Sequence, residues 1–164
     1  MGFDGGHDRF RKGLRMKRFI EVHDGEIVAG QGDVVLKSDS DHACLVITAY
    51  DPNHKIGALA HAIFLSELVE KKHDPSIMQD VSHAIDEMIT DMTLLGSHRS
   101  DIEVCLVTGE NVQHTQDDPA YNRNIATAIE VLKEKRVRFR EDTATEVGKS
   151  HVGLDVESGE IVYT

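Results

Sequence analysis

Two apolar runs joined by a tight turn set the strongest constraint on how this chain folds. Cys44-Leu45-Val46-Ile47-Thr48-Ala49 is the first run, Asp51-Pro52-Asn53 supplies the turn, and Ile56-Gly57-Ala58-Leu59-Ala60 carries the chain on to His61. Short apolar runs bounded by Asp, Pro and Asn read as buried strands, and the turn between them makes them a hairpin. Such a hairpin brings the thiol at its head, Cys44, toward the imidazole near its end, His61. A thiol beside an imidazole is the simplest apparatus for cysteine nucleophilic catalysis. The thiolate is the reactive species, and a neighbouring His lowers a thiol pKa far enough to populate it at neutral pH.

The rest of the chain frames this hairpin. Its 164 residues suffice for one domain with its own core. Eighteen Lys and Arg stand against 29 Asp and Glu, a net charge of −11, which disfavours nucleic acid and anionic membranes as partners. A cytoplasmic location without membrane insertion is expected, because no apolar stretch approaches the length of a span and the N-terminus is too polar for a secretory signal. Residues 1–15 lack a hydrophobic period and read as a disordered tail before a single domain over 16–164. Cys44 and Cys105 are too few for a disulfide framework and are expected to be reduced.

Along the chain, Phe19 to Val22 and Ile27 to Ala29 flank Asp24-Gly25, which predicts a β-hairpin with a tight primed turn. Val34-Val35-Leu36 is a further strand leading into Ser38, and the chain is expected to stay β-rich to about Leu65. Asp74-Pro75 opens and Gly96 closes the longest helix signal. Ile77, Val81, Ile85, Met88, Ile89, Met92 and Leu95 form its apolar stripe, with the Met side chains as core filler. Asp80, His83, Asp86, Glu87 and Asp91 form a polar face that reads as solvated surface. Ile102 to Val107 predicts a buried strand in which Cys105 is a small core residue. A second helix runs from Asp118-Pro119 to about Lys135 with Ile125, Ala128, Ile129 and Leu132 inward. A strand over Val137 to Arg140 follows, and a closing hairpin pairs His151 to Val156 with Ile161 to Tyr163.

The hairpin motif resembles the signature of the CheD family, chemoreceptor glutamine deamidases of chemotaxis. The resemblance rests on Cys44-Leu45-Val46-Ile47-Thr48-Ala49-Tyr50-Asp51-Pro52 followed by Lys55-Ile56-Gly57-Ala58-Leu59-Ala60-His61. It extends over roughly Met16 to Thr164. Ser38 stands where the family has a Thr six residues before its Cys, and keeps the hydroxyl. Asn122-Arg123-Asn124 matches a Gly-x-Arg-Asn helix entry, and Asp142 through Gly148-Lys149 matches Asp-x-Gly-Gly and then Gly-Arg. The chain departs from the family where Asp39-Ser40-Asp41-His42-Ala43 replaces a glycine-rich approach to the Cys. It departs again at Val107-Thr108-Gly109-Glu110, where paired glycines are lost, and at Thr143-Ala144, in place of Gly-Gly. Glycines of this kind serve positive φ or close approach to a ligand, so the chain reads as a divergent member.

The resemblance implies an α+β fold, a layered β/β/α sandwich of the CheD-like cysteine hydrolase kind, with the site at the strand ends that bear Cys44 and His61. It implies Cys44 as nucleophile, His61 as proton carrier and Ser38 as the third site residue, with oxyanion donors from backbone N–H groups around Ala43 and Cys44. The expected substrate is a glutamine of a chemoreceptor's cytoplasmic domain, and no cofactor is expected. A second expectation, favoured by the lost glycines, is a catalytically weak or inactive CheD-like binding module for a CheC-type phosphatase or another chemotaxis partner. A metal site is not expected: His42, Cys44 and His61 offer three ligands, but the chain lacks the local pairs typical of zinc sites.

Overall fold

The computed structural model describes residues 17–23, 25–38, 45–62, 75–109, 119–144 and 151–163. The expectation of a disordered tail over 1–15 lies outside them. The elements are β1 (Arg18–Val22), β2 (Ile27–Gln31), β3 (Val34–Ser38), β4 (Leu45–Asp51), β5 (Ile56–Ala62) and helix α1 (Pro75–Leu95). After a short 3-10 turn (Arg99–Asp101) come β6 (Glu103–Gly109), helix α2 (Pro119–Glu134), β7 (Arg138–Ala144), β8 (Val152–Asp155) and β9 (Ile161–Tyr163). The fold is α+β, with a four-stranded sheet in the order β1-β3-β8-β9 and a five-stranded sheet in the order β2-β5-β4-β6-β7.

The hairpin predicted from the two apolar runs is the β4–β5 pair, antiparallel, with Leu45 opposite Ala62 and Val46 opposite His61. It occupies the middle of the larger sheet, which explains why both strands are apolar nearly throughout. Alternate residues face two separate cores. Leu45, Ile47, Ala49, Ile56, Ala58 and Ala60 join Val81, Ile85, Met88, Met92 and Leu132 in a cluster between this sheet and the helices. Val46, Leu59 and Cys105 join Val34, Leu36, Val152 and Leu154 in a second cluster between the two sheets. Leu36, Ile47, Leu59, Met92 and Leu106 are fully buried, each stabilising the fold by about 1.5–3 kcal/mol relative to exposure.

Both helices begin at the prolines that mark them in the sequence, and Gly96, at φ +120, ends α1. Met88 and Met92 are core residues as expected, whereas Leu95, the last residue of α1, is 42% exposed. The predicted hairpin between β1 and β2 does not form. Gly25 turns the chain at φ +78, but β1 pairs in parallel with β3 of the smaller sheet, and β2 pairs antiparallel with β5 of the larger. Val22 lies in the inter-sheet cluster while Ile27 and Ala29 pack against the helix-side core, so the chain passes from one sheet to the other between β1 and β2.

Candidate functional site

Of the residues singled out from the sequence, Ser38 and His61 lie in the structure's described part, and Cys44, Ala43 and His42 lie outside it. His61 is the penultimate residue of β5 and is 1% exposed. It shares a strand face with Leu59, two residues before it, and so stands on the side of the larger sheet that meets the smaller one. Its backbone is held from the β1–β2 connection: Gly25 N–H donates to the His61 carbonyl at 2.9 Å, and His61 N–H donates to the Glu26 carbonyl at 3.2 Å.

Ser38 ends β3 and is also 1% exposed. It follows Val34 and Leu36 on the face that looks toward the larger sheet, and β3 packs against β5. Val22 is the register partner of Ser38, and Gly25, three residues after Val22, bonds His61. Ser38 and His61 are therefore buried at the same end of the two facing sheets. The Ser38 hydroxyl accepts the Val152 N–H at 3.0 Å, which leaves its own O–H as a donor. The Ser38 carbonyl lies 3.0 Å from Nδ1 of His151.

A row of register partners crosses the larger sheet at this level: His61 opposite Val46, Val46 opposite Val107, and Val107 beside Asp142. In the smaller sheet Val152 is opposite Tyr163. Burial pushes the Tyr163 hydroxyl well above its ordinary pKa, and the Asp142 charge adds to the effect, so Tyr163 stays protonated at the far end of the same level. His151 and Tyr163 escaped sequence reasoning, since a lone His in a polar stretch and a Tyr near the end of the chain carry no signal until the β3–β8 and β8–β9 pairings are known.

Cys105 is buried as expected, 4% exposed, and burial raises its thiol pKa to about 11, so it is not a nucleophile at neutral pH. It lines a cavity of about 230 Å³ together with Thr48, Tyr50, Arg138, Arg140 and Gly159. Thr48 and Tyr50 are two and four residues along β4 from Val46, so the cavity sits toward the hairpin tip and away from Ser38 and His61.

At that tip Asp51 is fully buried. It accepts hydrogen bonds from Ser97 Oγ at 2.8 Å, His54 Nδ1 at 2.8 Å and Asn53 N–H at 2.9 Å. Asp51, His54 and Asp101 each place a ligand atom within 4.8 Å of the others, a set able to meet a cation. The Asp51 carboxylate is already engaged by its three donors, and we read the group as a clasp between the β4–β5 tip and the segment after α1.

No family model matches the chain. A protein named "Probable chemoreceptor glutamine deamidase CheD" from Pyrococcus abyssi is 28% identical over 150 residues, covering 89% of this chain and 91% of that protein. Proteins of the same name from Methanosarcina barkeri and Chlorobium luteolum are 25% and 21% identical, covering 84% and 88% of this chain and 91% and 72% of their own lengths. Among solved structures, a Neisseria meningitidis protein of the family-model DUF152 aligns with a TM-score of 0.48 at 11% identity, over 85% of this chain and 68% of that one.

Proposed function

We propose that the chain is a divergent member of the CheD family, like the relatives it resembles at 21–28% identity, and that it deamidates glutamines in the cytoplasmic part of chemoreceptors to glutamate. The observation that carries the reading is the burial of Ser38 and His61 at one end of the two facing sheets. Val46, the partner of His61, lies two residues after Cys44.

In this mechanism the Cys44 thiolate attacks the glutamine side-chain carbonyl carbon, and backbone N–H groups around Ala43 and Cys44 meet the oxyanion. Collapse breaks the C–N bond, His61 supplies the proton with which ammonia leaves, and a thioester remains. Water then attacks the thioester as His61 takes its proton, the C–S bond breaks, and glutamate and the Cys44 thiolate are released. One water is consumed and one ammonia is formed. Ser38 contributes its O–H as a donor toward the site.

The same reading takes residues 16–164 as a single CheD-like domain, layered with the smaller sheet, the larger sheet and the helices in turn, working in the cytoplasm without a cofactor. No described helix is long and apolar enough to cross a membrane. Replacement of the glycine-rich approach by Asp39-Ser40-Asp41-His42-Ala43 favours a second reading, a CheD-like module that binds a CheC-type phosphatase or another chemotaxis partner without turnover. Incubation with a chemoreceptor cytoplasmic fragment, followed by peptide mass spectrometry, separates the two. Glutamine-to-glutamate conversion by wild type but not by Cys44→Ala is the expected result. Binding to the partner with no conversion by wild type overturns the deamidase.

A further inference from the structure

The end of β3 carries a hydrogen-bond exchange that ties the site to a residue outside it. The β3–β8 ladder pairs Val35 with Asp155, Leu36 with Leu154 and Lys37 with Gly153. At the next position the pattern changes. The Val152 N–H goes to the Ser38 side chain, 3.0 Å from Oγ. The Ser38 carbonyl takes a different donor, His151 Nδ1, at 3.0 Å. A carbonyl oxygen has no hydrogen to give, so the imidazole carries its proton on Nδ1 in this contact. Ser38 is 1% exposed, and a buried carbonyl needs a partner. Val156 N–H donates to the Val34 carbonyl, and the same antiparallel alternation, carried on through Leu36 and Leu154, would give the Val152 N–H to the Ser38 carbonyl once His151 no longer fills it.

We infer that His151 is a positioning residue for the deamidation: by occupying the Ser38 carbonyl it keeps the Val152 N–H on Oγ and so fixes the direction of the Ser38 hydroxyl. This deepens the deamidase reading and rests on it. The role of His151 depends on its imidazole and on the hydroxyl of Ser38. It acts through Ser38 and not on the reacting atoms, so it affects turnover and leaves substrate binding alone.

The test compares wild type with His151→Leu, which removes the donor, and His151→Asn, whose amide nitrogen donates from nearly the position of Nδ1. In deamidation of a chemoreceptor fragment, His151→Leu is expected to lower kcat about fivefold, the rate equivalent of one ordinary hydrogen bond, with KM unchanged. His151→Asn is expected to restore most of it. Without any substrate, the Val152 amide proton resonance should move in His151→Leu and return in His151→Asn. A Val152 resonance that ignores both substitutions overturns the inference whatever the activity, as does a His151→Asn enzyme as slow as His151→Leu. Persistence of deamidation in Cys44→Ala would instead overturn the parent reading of the site, and the Val152 resonance would still decide the role of His151.

Discussion

Asp51→Ala is expected to loosen the hairpin tip and to cost about 3 kcal/mol, a value assembled from its partners. Ser97 is 3% exposed, and its hydroxyl would lose its acceptor in a place water does not reach, which costs about 1–3 kcal/mol. The Asn53 N–H turn bond adds about 1 kcal/mol. The His54 ring is 39% exposed, and water replaces much of what its bond supplies, so that pair adds about 0.5 kcal/mol at most. For a domain of this size the sum corresponds to a fall in Tm of about 6–12 °C. Ser97→Ala removes one donor and leaves the carboxylate its other two, so it should cost only about 1 kcal/mol. Burial tends to raise the Asp51 carboxyl above its ordinary 3.8, but the hydrogen bonds from Ser97, His54 and Asn53 outweigh it and hold the pKa lower. A folded-state pKa below the unfolded one stabilises the fold above the ordinary carboxylate value, and that stabilisation is lost as pH falls through it. Urea unfolding followed at neutral and acid pH should therefore show the gap between wild type and Asp51→Ala narrowing in acid. An Asp51→Ala loss no larger than that of Ser97→Ala, or a gap indifferent to pH, would refute the clasp.

Gly159 and Gly25 make a matched pair. Both have positive φ, +79 and +78, but a Cβ on Gly159 would lie 2.4 Å from the Tyr50 ring while one on Gly25 meets nothing within 4 Å. Gly159→Ala should cost about 2 kcal/mol and Gly25→Ala about 1 kcal/mol in thermal unfolding, and equal losses would mean that the β8–β9 turn does not pack on Tyr50. Cys105, with its thiol raised to about 11, should resist iodoacetamide at neutral pH in the folded protein and react once urea unfolds it. Rapid labelling of Cys105 in the folded state would contradict its burial.

What the sequence revealed follows from how local the signals were. The Pro75 and Pro119 helix starts, the Gly96 stop and the β4–β5 hairpin each depend on residues close together in the chain, and all four are present. The Asp24-Gly25 turn shows the limit of such reasoning. Positive φ at Gly25 was legible, but whether the strands around it pair with each other depends on β3 and β5, which offer β1 and β2 better-buried partners. At the site, His61 and Ser38 were picked out by their place beside Cys44 in a family-like motif, and the structure puts both at one end of the facing sheets. His151 had no such signal. Its contact with Ser38 joins residues 113 positions apart, and only the β3–β8 pairing brings them together.

The proposed mechanism requires an activated thiol at Cys44, and the most direct test is the pH dependence of its alkylation, read by mass spectrometry in wild type and His61→Ala with Cys105 as internal control. The Cys44 thiolate is expected to titrate well below the ordinary thiol value of about 8.5, and its reactivity at neutral pH to fall in His61→Ala while Cys105 stays inert in both. A Cys44 no more reactive than Cys105, and indifferent to His61, would contradict it.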